Sequence, residues 1–140
     1  RPYPASMKDY LNSRVKFRES FRPFAPAVLY EHASDYFEIQ QESPHMLIAS
    51  QATSFAQKKI PATVHVDNSC RVQTVTKENN PKFYDLLCSF HELTNCPVLL
   101  NTSFNVKGQP IVNNPRQAIH CYQSTNIDCL ILDDFLLVKQ

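Results

Sequence analysis

The chain contains one glycine among its 140 residues, whereas glycine usually makes up about 7% of a protein. Glycine-rich loops hold phosphate through closely approaching main-chain N–H groups, and a Walker loop needs two glycines while a dinucleotide fingerprint needs three. The sequence therefore excludes both kinds of loop. If this protein binds phosphate, side chains must hold it.

Length and composition favour one folded domain. Hydrophobic residues make up 43% and charged residues 19% of the chain, which excludes a disordered tail or a coiled coil. The formal net charge of +1 provides no bulk field for nucleic acid or membrane, so an anion site must come from local clustering. No stretch approaches the roughly 20 apolar residues that cross a bilayer. Five cysteines with mostly apolar flanks and no C-x-x-C motif favour reduced thiols in a cytoplasmic protein.

Proline and asparagine divide the chain into short elements. Helices are predicted after Ser6 and over 31–37, 81–94 and 115–124. An extended segment is predicted over 24–30, and strands are predicted over 46–49, 62–66, 71–76, 98–100, 129–132 and 135–138. The strands at 62–66 and 71–76 are predicted to form a hairpin that turns at Asn68, because asparagine tolerates positive φ. Strands mixed with helices indicate a single α/β or α+β layer architecture.

Basic and aromatic residues alternate between Lys16 and Arg22. In an extended chain, Lys16, Arg18 and Arg22 share one face, and Phe17 and Phe21 share the other. The aromatic face would anchor a strand, while three cations held close together repel one another and favour an anionic ligand. The alternative is a solvated basic strand edge that prevents edge-to-edge pairing.

A polar segment follows the strand predicted at 98–100. If the segment is extended, Asn101, Ser103 and Asn105 share one face. Their amide and hydroxyl groups can bind phosphate oxygens, ribose or a carbonyl without carrying charge. Ordinary turn chemistry is an equal alternative, since these residue types commonly cap and turn chains.

Four motifs, in this order, closely resemble the C-terminal domain of the NodU/CmcH/TobZ O-carbamoyltransferase family: Lys16–Pro26, Pro61–Asp67, Arg71–Val75 and Leu100–Val106. That domain resembles the YrdC-like fold, whose ATP sites use Lys-x-Arg and Ser-x-Asn signatures. Lys16-Phe17-Arg18 and Ser103-Phe104-Asn105 have this form. The resemblance implies a mixed α/β fold, with a twisted YrdC-like sheet, packed helices and a concave basic face.

The resemblance also implies an activity. The domain is expected to convert carbamoyl phosphate and ATP, supplied with Mg, to carbamoyl-adenylate, releasing phosphate and pyrophosphate. A separate N-terminal ASKHA-like domain of the same polypeptide, which holds an iron ion, is expected to pass the carbamoyl group to a hydroxyl acceptor. Residues 1–140 are therefore interpreted as one C-terminal domain, a fragment of a cytoplasmic enzyme that lacks the N-terminal domain.

The site residues follow from the same resemblance. Lys16, Arg71 and Ser103 match positions around carbamoyl phosphate and the adenylate, and Lys16 and Arg71 are the predicted catalytic residues. Arg18, Ser103 and Asn105 are predicted to bind the nucleotide. Fixed cations that neutralise the charge on departing pyrophosphate would lower the barrier by electrostatic preorganisation.

Three further residues, Arg22, Asn101 and His65, are predicted to line the substrate site. His65 could carry a proton, but the reaction needs no strong base once carbamate forms, so a structural or site-lining role is favoured. The remaining histidines are scattered along the chain, and no metal site is expected within it.

Two departures from the family pattern stand out. The family usually has Asp-Gly at Asp67-Asn68 and Glu-Pro at Gln109-Pro110. The lone glycine, Gly108, follows the Ser-x-Asn signature, where it can release the chain into a turn. A Gly-Pro-Arg stretch normally precedes residue 1 in the family and supplies a further carbamoyl phosphate contact, so the isolated chain is expected to be inactive or weak.

The competing function is a non-catalytic module that binds a nucleotide or double-stranded RNA on the basic face of a YrdC-like fold. The net charge of +1 and the short basic run favour the enzyme, because RNA modules carry extended basic surfaces. Nucleic acid is therefore not an expected partner.

Overall fold

Short helices and short strands alternate along the chain, which confirms the predicted mixed α/β class. A computed structural model describes residues 1–17, 19 and 21–139. Their contacts form two units, one of residues 1–8 and 23–102 and the other of residues 9–22 and 103–140. The YrdC-like arrangement and the single-domain interpretation stay predictions.

The first unit is built on a three-stranded sheet. Its central strand β1 (Ala25–Leu29) pairs in parallel with β4 (Gln73–Val75) and antiparallel with β5 (Val98–Asn101). Val28 on the central strand and Val98, which is its register partner on β5, are both fully buried. The extended segment predicted at 24–30 and the strand predicted at 98–100 are confirmed.

Helix α4 (Pro81–Thr94) packs on this sheet as predicted. The Asn80 side chain accepts a hydrogen bond from the Phe83 N–H at 3.3 Å, and Asn95 ends the helix at a φ of 53°. Leu87 is fully buried against strand residues, while Leu93 is 85% exposed on the opposite side. Local capping and apolar spacing therefore suffice to define this helix.

The predicted hairpin of 62–66 with 71–76 is wrong. Pro61–Thr63 forms a short 3₁₀ helix, and β3 (Ser69–Arg71) pairs antiparallel with β2 (Ala49–Gln51). The turn itself is correct, because Asn68 has a φ of 64° and its N–H donates to the His65 carbonyl at 3.0 Å. The segment after the turn thus takes partners distant in sequence instead of the segment before it.

The strand predicted at 46–49 is also misplaced. Met46 has a left-handed φ of 57° and Leu47 is 86% exposed, so β2 begins only at Ala49. The polar stretch that follows contains helix α3 (Ser54–Lys59). Thr53 caps it by accepting a hydrogen bond from the Ala56 N–H at 3.2 Å.

The remaining helices are short. Helix α1 (Ser6–Leu11) confirms the helix predicted at Ser6. The prediction over 31–37 corresponds to a 3₁₀ turn, Tyr30–His32, followed by α2 (Ala33–Tyr36). No helix in the described residues is long and apolar enough to cross a membrane.

The second unit contains helix α5 (Pro115–Gln123) and an antiparallel hairpin of β6 (Cys129–Leu132) and β7 (Phe135–Val138), all as predicted. Ala118, Tyr122 and Leu130 form its buried cluster. Leu130 is 6% exposed whereas its neighbour Ile131 is 66% exposed, because successive residues of a strand point to opposite faces. One face of the hairpin packs on α5, and the other is open.

Candidate functional site

Lys16 ends a π-helical turn, Asn12–Lys16, that directly continues α1. The extended conformation predicted from Lys16 onward is therefore wrong at its start. Phe17 takes a left-handed φ of 49°, and Phe17 and Phe21 are 45% and 65% exposed, so these two rings do not anchor a strand. The buried Asn12 side chain instead donates a hydrogen bond to the Arg22 carbonyl at 3.1 Å, which links the start of the π-helical turn to Arg22.

The Lys16 side chain is only 8% exposed, and its ammonium lies among oxygen atoms of Ser103 and Asn105. Nζ donates to the Asn105 Oδ1 at 2.6 Å, the Ser103 carbonyl at 2.8 Å, the Ser103 Oγ at 3.2 Å and the Asn105 carbonyl at 3.4 Å. An ammonium has three protons, so these four contacts share them. Lys16, the first residue of the Lys-x-Arg motif, thus meets Ser103 and Asn105 of the Ser-x-Asn motif across 87 and 89 positions.

The Asn105 amide has one orientation that satisfies all of its contacts. Its Oδ1 accepts from Lys16 and from the Ser103 hydroxyl at 2.7 Å, and its Nδ2 donates to the Gln109 carbonyl at 2.9 Å. An ammonium can only donate and a carbonyl can only accept, so a flipped amide would face both partners wrongly. Asn105 therefore links the lysine to the loop that follows.

That loop contains the single glycine of the chain. Gly108 has a φ of 78°, and no atom lies within 4 Å of the position a Cβ would take. Its backbone conformation, and not a close approach, is what favours glycine here. The Gln109 N–H donates to the Val106 carbonyl at 3.0 Å and closes the turn. The predicted turn at Gly108 is confirmed.

A cavity of about 280 Å³ opens beside Asn105 within the second unit. Arg116 and His120 contribute to its wall from one face of α5, since residues four apart on a helix are neighbours. The complete lining is Asn105, Gln109, Pro110, Val112, Arg116, Gln117 and His120. The cavity thus combines a cation, an imidazole and amide groups with an apolar proline and valine.

Sequence reasoning missed Arg116, Gln117 and His120 as candidate site residues. Two signals could have revealed them: the four-residue spacing of the arginine and histidine on a predicted helix, and the absence of any aspartate or glutamate between Glu92 and Asp128. A long segment with basic but no acidic residues is a candidate anion-binding surface.

The nearby Cys121 does not supply a nucleophile. Burial raises the pKa of this thiol, and the positive charge of Lys16 opposes the shift only in part. Since a thiolate and not a thiol is nucleophilic, Cys121 acts as a small apolar residue of α5. All five cysteines of the chain are free.

Arg22 and Arg18 are the two other cations predicted for this site in the same segment. Arg22 is exposed, and its Nη1 lies 3.8 Å from the Glu19 Oε2. Such a surface pair contributes about 0–1 kcal/mol, so it would yield readily to a multiply charged anion. Arg18 lies outside the described residues.

Arg71, Asn101 and His65 belong to the first unit. Arg71 is exposed at the end of β3. Asn101 ends β5, where its Nδ2 donates to the Gln73 Oε1 across the sheet at 2.6 Å. The amide of Asn101 is therefore oriented by a residue of β4, on the other side of the central strand β1.

His65 is held by the turn that precedes β3. Its Nδ1 lies 3.0 Å from the Asp67 Oδ1, which also accepts from the Ser69 hydroxyl at 2.6 Å and the Ser69 N–H at 2.9 Å. These hydrogen bonds, above all the one from the Ser69 hydroxyl, hold the pKa of Asp67 well below its usual range. The carboxylate thus organises the turn and orients His65.

Among the described residues, no group of three or more histidine, cysteine, aspartate or glutamate side chains could hold a metal ion.

Nearly the whole chain matches known sequences. Residues 1–139 match the family model described as carbamoyltransferase C-terminus. An uncharacterized protein of Synechocystis is 44% identical over 158 residues, which include 99% of this chain and 26% of the relative. Nodulation protein NolO of Bradyrhizobium diazoefficiens is 39% identical, with 99% of this chain and 26% of the relative covered.

Nodulation protein NolNO of Sinorhizobium fredii is 37% identical, and the match covers 99% of this chain and 21% of the relative. The chain therefore spans about a quarter of the length of these relatives.

Proposed function

The chain belongs to the carbamoyltransferase C-terminal family, and we propose that it is the carbamoyl-activating part of an O-carbamoyltransferase. Carbamoyl phosphate is first cleaved by water to carbamate and phosphate. A carbamate oxygen then attacks the α-phosphorus of ATP, the bond from that phosphorus to the bridging oxygen breaks, and pyrophosphate leaves. Mg enters with the nucleotide as part of the substrate.

The cluster of Lys16 with Ser103 and Asn105 is the observation that supports this proposal. Both substrates are polyanions, and negative charge accumulates on the departing pyrophosphate. An ammonium held by four oxygen contacts does not have to reorganise when that charge develops, which is the condition for electrostatic catalysis. Lys16 is thus the residue proposed to stabilise the phosphates, together with Arg18.

Ser103 and Asn105 are proposed to orient the nucleotide. The Ser103 side chain is exposed, and its hydroxyl donates to Asn105 and accepts from Lys16. It can redirect its proton to a phosphate oxygen while the lysine stays in place. The predicted contacts of Arg71 with carbamoyl phosphate, and the site-lining roles of Arg22, Asn101 and His65, stay predictions.

The carbamoyl-adenylate is proposed to pass to an N-terminal ASKHA-like domain of the same polypeptide. There a hydroxyl acceptor attacks the carbamoyl carbon and AMP leaves. The iron ion for that step is proposed to lie in the N-terminal domain.

Exchange of labelled pyrophosphate into ATP, measured with the full-length protein and Mg, tests the proposal. The exchange should require carbamoyl phosphate. Lys16→Met preserves the volume of the buried side chain and should lower the exchange rate by about 10²–10³-fold, as for loss of one preorganised charge donor. Lys77→Met, at an exposed lysine of a turn in the first unit, is the matched control and should leave the rate unchanged.

Ser103→Ala and Arg71→Ala extend the test to exposed positions, where substitution does not endanger folding. Each should lower the exchange rate. Exchange that proceeds without carbamoyl phosphate would refute the proposed activity, and an unchanged exchange rate in a folded Lys16→Met protein would refute the role proposed for Lys16. Saturable binding of duplex RNA with a steep salt dependence, and no nucleotide binding, would instead support the RNA-binding module.

A further inference from the structure

The cavity in the second unit carries positive charge without a compensating carboxylate in its lining. Arg116 and His120 are exposed on α5, and none of the seven lining residues is acidic. The guanidinium of Arg116 makes no ion pair with the described residues of the chain. Arginine is suited to phosphate because its planar fork presents paired donors to two oxygens.

The amide groups of the lining add further donors. The Gln117 Oε1 accepts from the Asn113 N–H at 3.0 Å, which directs the oxygen toward the backbone and leaves the Nε2 protons of Gln117 for another partner. His120 offers a ring N–H even in its neutral form. The groups that remain for a ligand are thus mainly hydrogen-bond donors, which an anion with several oxygens would satisfy.

The volume of the cavity limits the size of its ligand. Pockets that hold a complete drug-sized molecule enclose about 300–1,000 Å³, and this cavity of about 280 Å³ falls just below that range. It suits a group of a few heavy atoms better than a complete nucleotide. Asn105, which binds Lys16, is part of its wall, so a ligand in the cavity lies close to the buried ammonium.

We infer that this cavity binds the diphosphate end of the nucleotide, with Arg116 as its principal contact and His120 and Gln117 as additional donors. The inference rests on the proposed function, because it assigns the β- and γ-phosphates of ATP, and the pyrophosphate that leaves, to this cavity. The Lys16 cluster beside it then faces the end of the diphosphate nearest the reacting phosphorus.

Calorimetric titration of the full-length protein with inorganic pyrophosphate, ATP, AMP and orthophosphate tests the assignment. Arg116→Gln should weaken pyrophosphate and ATP by about tenfold, the loss expected for one charge-assisted hydrogen bond. The same variant should leave AMP unchanged, since AMP lacks the two phosphates concerned. Lys107→Gln is the control, because it removes one positive charge at an exposed residue of the second unit that does not line the cavity. It should leave all four affinities unchanged.

Each other outcome overturns the inference. Equal effects of Arg116→Gln and Lys107→Gln would show a general charge effect, and an equal loss for AMP would place the nucleoside or the α-phosphate in the cavity. Orthophosphate binding as tight as that of pyrophosphate, and weakened equally, would show a single-phosphate site. Failure of the proposed function is distinguishable, because it abolishes carbamoyl phosphate-dependent exchange in the unmodified protein while these titrations still report on the cavity.

Discussion

The contact between Lys16 and Asn105 can be measured by a double-mutant cycle of Lys16→Met, which approximately conserves side-chain volume, and Asn105→Leu, which keeps the branched shape of the side chain. The Nζ to Oδ1 distance is 2.6 Å and the lysine is 8% exposed. A hydrogen bond to a charged group contributes about 1.5–3 kcal/mol. Because Asn105 is itself only half-buried, we expect a coupling energy of about 2 kcal/mol.

The two single variants should differ in their cost. Asn105→Leu leaves the buried ammonium of Lys16 without its shortest contact, so it should lower the free energy of unfolding by about 2–3 kcal/mol. Lys16→Met removes the charge together with its desolvation penalty, and it should therefore cost less than Asn105→Leu. The asymmetry follows directly from the burial of the lysine.

Urea unfolding followed by far-ultraviolet circular dichroism provides the free energies, with equal m-values as the condition for comparing variants. Asn126→Leu, at an exposed asparagine of the second unit, is the control and should shift stability by less than about 0.5 kcal/mol. A coupling energy below about 0.5 kcal/mol would mean that Lys16 and Asn105 interact no more strongly than a surface pair, and the cluster could not be called preorganised.

Three further predictions concern other parts of the chain. Leu87→Ala should lower the free energy of unfolding by about 2–5 kcal/mol, measured in urea, whereas Leu93→Ala on the exposed side of the same helix should be nearly neutral. The pKa of Asp67 is lowered in the folded protein. The contribution of Asp67 to stability is therefore present above its unfolded-state pKa of about 3.9, and it is lost as the pH falls through the lower folded-state pKa. Asp67→Asn should therefore lose less stability than the unmodified protein when the pH falls below about 4. Unfolding midpoints that fall equally in both proteins as the pH is lowered would contradict this. Burial raises the pKa of Cys70 to about 12, so an alkylating reagent near neutral pH should modify the exposed Cys129 and spare Cys70. Peptide mass spectrometry maps the modified residues. Modification of Cys70 before Cys129 would show that the surroundings of Cys70 open.

Elements whose signals lie close together in sequence could be predicted. Asn80 and Pro81 mark the start of α4, and Asn95 marks its end. The hairpin of β6 and β7 turns at two adjacent aspartates. Helix caps and tight turns act over a few residues, so their effect does not depend on the rest of the chain. The turn at Asn68 was correct for the same reason.

Pairing partners could not be predicted in this way. The segment after Asn68 pairs with β2 and β1 instead of folding back on residues 62–66, because a strand's hydrogen bonds can be satisfied by any edge that the tertiary fold brings to it. The extended prediction was wrong at Lys16 and Phe17 for a similar reason, since an alternating pattern is equally compatible with a helical turn followed by a left-handed residue. Short elements leave periodicity too few residues to separate these possibilities.

The chemistry of the site divides along the same line. The linear sequence already contains the residue types of the Lys-x-Arg and Ser-x-Asn motifs, which predict a side-chain site for an anion. Its single glycine excludes the glycine-rich loops that bind phosphate through main-chain N–H groups. Folding adds what no local signal encodes: it buries Lys16, brings Ser103 and Asn105 to its ammonium across 87 and 89 positions, and places Arg116 and His120 around a cavity beside them. Burial and distance depend on packing between distant segments, and therefore the side chains that can act together emerge only once the chain is folded.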